Sequence, residues 1–370
     1  MQKTRFYEID FLRFISAFFV VIFHYTFTGY MEGFAPIADF DSIRYYSRYA
    51  YMGINFFFII SGFVIFMSIE NGSARRFIQS RVVRLFPAYW FCLCLTTVVT
   101  LLLGSEVLLG SNVITMSWTK FLANITMLNT LVDIERVDWA YWTLYLELKF
   151  YAVVLIILLF KWLRYSKHIL ALVLVTSTVA LFTPWAKSVD VWVSIFPHWS
   201  GYFAAGGVFY LIRKDGTSLY HWLLLALSYV YIIKQSTLFG ALMTNWFHIE
   251  FNLLTIALIN SGCFAVFCIT AFCDKHPLRR KQFYYLGILT YPLYLVHQFI
   301  GYMIFNTFGN VVDINLLVPS VIAVMLLLAY FIHVHVELKF ASVLQRFTTR
   351  LLKIKIEILP VQSKAIINKE

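Results

Sequence analysis

Ten stretches of predominantly apolar residues recur along the chain, near 8–28, 50–69, 86–104, 141–160, 168–185, 196–212, 218–234, 251–272, 283–305 and 315–336. Each approaches the roughly 20 residues that a helix needs to cross a bilayer. The short-range alternation of membrane strands is absent, so the predicted class is all-α, a polytopic bundle of about ten transmembrane helices. Residues 105–140 form the longest connection and are expected to carry an interfacial helix. Residues 1–340 are assigned to the bundle, and 341–370 to a basic, amphipathic tail on the membrane surface. No repeat, low-complexity tract or appended soluble domain is expected.

Basic residues orient this bundle. Of the 30 Lys and Arg, 22 fall on the side of the N-terminus and 6 on the other, with Arg13 and Lys149 inside spans. The first group includes four Arg in a predicted loop at 75–84, and the second includes Lys234. Lys and Arg accumulate on the cytoplasmic side, so both termini are predicted to be cytoplasmic. The net charge of +11 thus reflects topology and gives no reason to expect a nucleic-acid partner.

Composition agrees. The chain is 61% hydrophobic and 13% charged, against about 45–50% and about 25% in soluble domains. An ordinary soluble enzyme, a disordered chain and a disulfide scaffold are excluded. The five Cys show no metal-ligand spacing, so neither a metal nor a disulfide framework is expected. The first apolar run carries Asp10 and Arg13, which a cleavable signal would not, so it is read as the first span.

Ionisable side chains within spans are costly, and a functional role is the default expectation for them. At about 100° per residue, Arg13, Ala17 and His24 fall within about 60° of Asp10, on one stripe of the first helix. That stripe is about 21 Å long at 1.5 Å per residue. A neutral buried His is a plausible general base; a polar knot that fixes helix packing is the bland alternative. Arg81 and Arg84 share a face if helical, with Arg75 and Arg76 nearby, and guanidinium forks suit phosphate oxygens. An ordinary basic loop reads the same way. Glu147 sits among Tyr141, Trp142 and Tyr145 near the start of the fourth span. Tyr291, Tyr294 and His297 give the ninth span one polar edge, and Pro292 is expected to bend it there. His333, His335 and Glu337 lie at the cytoplasmic end of the last span.

With these residues in view, the chain resembles the membrane-bound acyltransferase 3 family over about residues 5–340. The family's Arg-x-x-x-Leu-Asp-Gly-Leu-Arg opening is similar to Arg5, Ile9, Asp10, Phe11, Leu12 and Arg13, followed by His24. The Phe-Phe-x-x-Ser-Gly-Phe pattern reads Phe57, Phe58, Ser61, Gly62 and Phe63. Arg-x-x-Arg-x-x-Pro falls at Arg81, Arg84 and Pro87, and Trp-Ser-Leu-x-x-Glu resembles Trp142, Thr143, Leu144 and Glu147. Tyr-x-Leu-Tyr-Leu-x-His spans Tyr291 to His297. Departures are Phe11 for the usual Gly, Leu148 for a frequent second acid, and Leu338-Lys339 after Glu337 in place of a basic residue and Pro.

The resemblance implies a bacterial enzyme of the inner (plasma) membrane, surrounded by lipid, that O-acylates a glycan. Acyl-CoA is the implied cytoplasmic donor, with acetyl as default and succinyl as alternative; the implied acceptor is a cell-surface or lipid-linked glycan. Arg76, Arg81 and Arg84 become the expected phosphate ligands. His24 becomes the base or a transient acyl carrier, with Glu147, Arg13 and Asp10 beside it. Ser61, Tyr291, Tyr294 and His297 are assigned to substrate. A secondary transporter or a non-catalytic scaffold is the competing reading.

Overall fold

The computed structural model describes residues 5–33, 40–70, 72–103, 116–182, 197–273 and 278–352. Among them there is helix and no strand. Twelve helices are numbered here: α1 (Tyr7–Met31), α2 (Asp41–Ser68), α3 (Ala74–Leu103), α4 (Trp118–Asn124), α5 (Trp139–Leu159) and α6 (Ser166–Ala180) form the first half. The second half comprises α7 (Pro197–Asp215), α8 (Leu219–Phe247), α9 (Leu253–Phe272), α10 (Phe283–Val296), α11 (Gln298–Phe308) and α12 (Ile314–Leu351). Short polar residues mark several starts: the side chains of Ser73, Ser218, Asn252 and Asp313 each accept a backbone N–H of the first turn.

Among the described residues, seven helices are long and apolar enough to span a membrane, or eight when the bent pair α10–α11 counts as one. The sequence led us to expect ten. The two that fall short of the criterion are α6, which has 15 residues, and α7. α7 is the innermost helix: every side chain from His198 to Ile212 is buried. A helix that faces only other helices needs small residues more than apolar ones. Gly62 of α2 and Gly206 of α7 show why: a Cβ on either would stand 2.0 Å from the carbonyl oxygen of Phe203 or Ile59, respectively. The Ser61-Gly62-Phe63 segment is therefore a crossing point of two backbones.

Several expectations are corrected. The basic segment 75–84 is not a loop but the first turns of α3, which Ser73 caps and which continues through Pro87 into the apolar run. α8 extends well past residue 234, since no proline interrupts it, so Lys234 lies within a helix rather than on an outer loop. α10 runs unbroken through Pro292, and a 65° bend falls instead at His297, between α10 and α11. A ring lacking one N–H is tolerated within a packed helix; what holds the break at His297 is described below. α12 passes through residue 340 and docks on α3, where Gln79 Nε2 donates to Thr349 Oγ1 at 2.7 Å and to the Gln345 carbonyl at 3.0 Å. Part of the segment read as tail is thus this helix. α4 carries exposed Trp118 and Leu122, as an interfacial helix would. Residues 105–115 of the long connection, and the basic tail beyond residue 352, lie outside the described residues.

Candidate functional site

The polar stripe of α1 is divided between two sites. At its N-terminal end, α1, α2, α3, α10 and α12 enclose a cavity of about 390 Å³. Its polar lining includes Asp10, Arg13, Arg84, Tyr291, His333 and Glu337. Arg5 closes the rim by pairing with Asp10 at 2.7 Å, and Gly287 leaves the space Asp10 occupies, since a Cβ there would meet Asp10 Oδ1 at 2.6 Å. On the α12 wall the chain widens into a π turn, His333–Glu337, whose two ends pair at 2.6 Å. Arg13 lies over the Phe57 ring at 5.8 Å. Among the described residues, neither Arg13 nor Arg84 has a carboxylate within ion-pair distance. The cavity thus carries two guanidinium groups without an ion pair among the described residues, beside the Arg5–Asp10 and His333–Glu337 pairs.

Arg81 and Glu147 lie behind this wall. Arg81 stacks over Phe77 and Tyr151, each at 5.6 Å, and its Nη1 is buried with no hydrogen-bond partner. Glu147 is buried, accepts the Tyr151 hydroxyl, and lies within electrostatic reach of Arg13 and Arg81. The i, i+3 spacing of Arg81 and Arg84 does place both on one side of α3. Arg76, by contrast, is exposed in the first turn of α3 and does not line the cavity. Ser61 is buried at the α2–α7 crossing and does not line it either.

The second site lies 11 residues further along α1, about 16 Å at 1.5 Å per residue. There α1 also widens into a π turn, His24–Thr28, a local expansion often found at functional positions. His24 Nδ1 is 3.0 Å from Thr28 Oγ1 and 3.1 Å from Tyr302 OH, and the two hydroxyls are 3.0 Å apart. With its proton on Nδ1, His24 donates to this hydroxyl pair and keeps a lone pair on Nε2, the form a general base requires. The imidazole of His297 lies beside it, with ring centroids 5.1 Å apart. His297 Nδ1 is 2.8 Å from the Tyr294 carbonyl, which only accepts, so the proton sits on Nδ1 and the buried, unpartnered Nε2 is an acceptor.

The structure therefore groups the expected residues differently from the order in which they were read. Asp10, Arg13, Arg84 and Tyr291 meet at the cavity, while His24 and His297 meet at the second site. No hydrogen bond joins Glu147 to His24 among the described residues. The tyrosine edge of α10 ties helices together: Tyr291 OH donates to the Leu85 carbonyl at 3.1 Å, and Tyr294 OH contacts Thr143 Oγ1 at 2.7 Å and the Ala140 carbonyl at 2.8 Å. Thr28 and Tyr302 were missed. The spacing of Thr28, four after His24, was a usable signal; Tyr302 is buried in an apolar helix and carried none.

A bundle of apolar helices that closes over guanidinium groups without ion-pair partners among the described residues and over two adjacent imidazoles, His297 buried and His24 half-buried, defines an integral membrane protein with an internal polar site. The family model of the acyltransferase 3 domain matches residues 6–334, nearly the whole chain, and the chain belongs to that family of membrane acyltransferases. No curated protein and no solved structure matches it.

Proposed function

We propose that this membrane acyltransferase moves an acyl group, acetyl by default, from cytoplasmic acyl-CoA to a hydroxyl of a cell-surface or lipid-linked glycan. The observation that carries the donor side is the pair Arg13 and Arg84, two arginines without carboxylate partners facing one cavity. That donor set fits the phosphates of a coenzyme A thioester, which guanidinium groups bind in charge-assisted pairs. The flexible arm of the donor then points along the α1 stripe toward His24. In this reading His24 Nε2 takes the proton of the acceptor hydroxyl while its oxygen bonds to the thioester carbonyl carbon. The carbon–sulfur bond breaks, and the departing sulfur receives a proton. Thr28 and Tyr302 hold the imidazole, and the Nε2 acceptor of His297 suits a second hydroxyl of a polyhydroxylated acceptor. The protein belongs in this reading to the cytoplasmic membrane of a bacterium.

Titration of acetyl-CoA against purified protein in liposomes tests the donor site. A hydrogen-bonded charge contributes about 1.5–3 kcal/mol, so Arg84→Ala is expected to raise the donor KM by about 10- to 100-fold. An unchanged KM in a folded Arg84→Ala variant refutes the assignment of this cavity to the donor.

A further inference from the structure

A helix broken inside a bundle frees backbone carbonyls and amides that lipid cannot satisfy, so the surrounding protein must supply their partners. At the break between α10 and α11, side chains from other segments do so for the Leu295 carbonyl and the Phe299 N–H, and a third bonds the His297 carbonyl, which also accepts the Gly301 N–H at 3.1 Å. Tyr25 of α1 donates its hydroxyl to the His297 carbonyl at 2.6 Å. Tyr141, at the start of α5, donates to the Leu295 carbonyl at 3.1 Å. Asp138, the residue before α5, accepts the Phe299 N–H on Oδ2 at 3.1 Å and the Ala140 N–H on Oδ1 at 2.9 Å. Asp138 and Tyr25 are completely buried.

The first turn of α11 has no side-chain cap from its own sequence, and Asp138 supplies one from outside. Both of its oxygens go to backbone N–H groups, so it is a fixed acceptor across two segments of chain. A negative charge at the start of a helix is favourable in itself. His297 stands at the centre of this bracket, held on one side through its carbonyl and on the other through the amide two residues on.

We propose that Asp138 is a positioning residue: it holds the 65° bend that stands the His297 imidazole 5.1 Å from His24. The consequence for transfer rests on the function proposed above; the consequence for the bend does not. Loss of the carboxylate leaves the α11 start uncapped and the angle between α10 and α11 unpinned. His297 then shifts against His24, and displacements of about 1 Å at a reacting pair cost up to about 100-fold in rate. The donor cavity is lined by other residues, so donor binding is left intact.

The test uses the full chain in nanodiscs with its native cysteines replaced and spin labels placed at Tyr285→Cys and Phe308→Cys, two exposed positions on either side of the break. Asp138→Ala is expected to shift or broaden the interlabel distance distribution, and Asp138→Asn, which keeps one acceptor, to do so less. In the same preparations kcat is expected to fall about 10- to 100-fold, with the donor KM within about twofold of wild type. A distance distribution in folded Asp138→Asn and Asp138→Ala identical to wild type overturns the proposal, as does a rise in donor KM with kcat preserved. A wild-type protein without acyl transfer refutes the proposed function instead, and the distance measurement still decides whether Asp138 holds the bend.

Discussion

Thr28 and Tyr302 hold His24 redundantly, and redundancy has a measurable signature. Both hydroxyls lie within 3.1 Å of Nδ1 and within 3.0 Å of each other. Tyr302→Phe keeps the ring and removes one hydroxyl; Thr28→Val keeps the shape and removes the other. A neutral hydrogen bond contributes about 0.5–1.5 kcal/mol net, so each single change is expected to lower kcat by about 2- to 10-fold. The double variant leaves a buried N–H without an acceptor, which costs about 1–3 kcal/mol. It also frees the imidazole to exchange tautomers or turn. The double variant should therefore fall below the product of the singles by a coupling of about 1 kcal/mol, about fivefold. The assay is transfer of labelled acetyl groups in liposomes at saturating donor, with protein amount matched by in-gel quantification. Strict additivity would show that the two hydroxyls do not share His24. A Tyr302→Phe variant as inactive as His24→Ala would make the phenol a proton donor in the chemistry, and the positioning argument would be wrong.

Two further outcomes concern the frame. Gly62→Ala places a Cβ 2.0 Å from the Phe203 carbonyl oxygen, so α2 and α7 must part, and thermal stability in detergent is expected to fall by the about 1–3 kcal/mol typical of overpacking. Gly262→Ala, whose Cβ meets nothing within 4 Å, is the control and should be as stable as wild type or more so; equal effects of the two changes would contradict the close crossing. Burial pushes the Glu32 carboxyl, just past the end of α1, up to about 8. It binds a proton more tightly folded than unfolded, so the stability linked to it is fully present below the ordinary carboxylate range and is lost as pH rises through about 8. The melting temperature is therefore expected to be higher at about pH 6 than at about pH 8.5, with the slope reduced in Glu32→Gln; a slope of opposite sign refutes it.

Hydropathy revealed the helical class because lipid imposes long apolar runs, and most of the ten predicted stretches correspond to helices here. The stripe of α1 was legible because its period is that of a helix, which the structure keeps up to the π turn at His24. The place of α7 was not legible. Its residues are chosen for contact with other helices, so its apolarity is weak although it is the most enclosed helix. Pro292 suggested a bend in the right helix at the wrong residue, since the cause of the bend lies in residues 25, 138 and 141, far away in sequence. Arg84 was legible as a cation but not as an unpaired one; that depended on which carboxylates the fold brings near. Thr28, Tyr302 and Asp138 escaped notice because a polar residue at the end of an apolar run is common, and its partner is fixed only by packing.

The measurement closest to the central claim is transfer of label from acetyl-CoA into the glycan and lipid-glycan fractions of membranes containing wild type or His24→Ala at matched expression. The account predicts label with wild type and none above background with His24→Ala. Undiminished label in His24→Ala would contradict the assignment of the reaction to the imidazole pair, and absence of label with wild type for every acyl-CoA offered would contradict the proposed reaction itself.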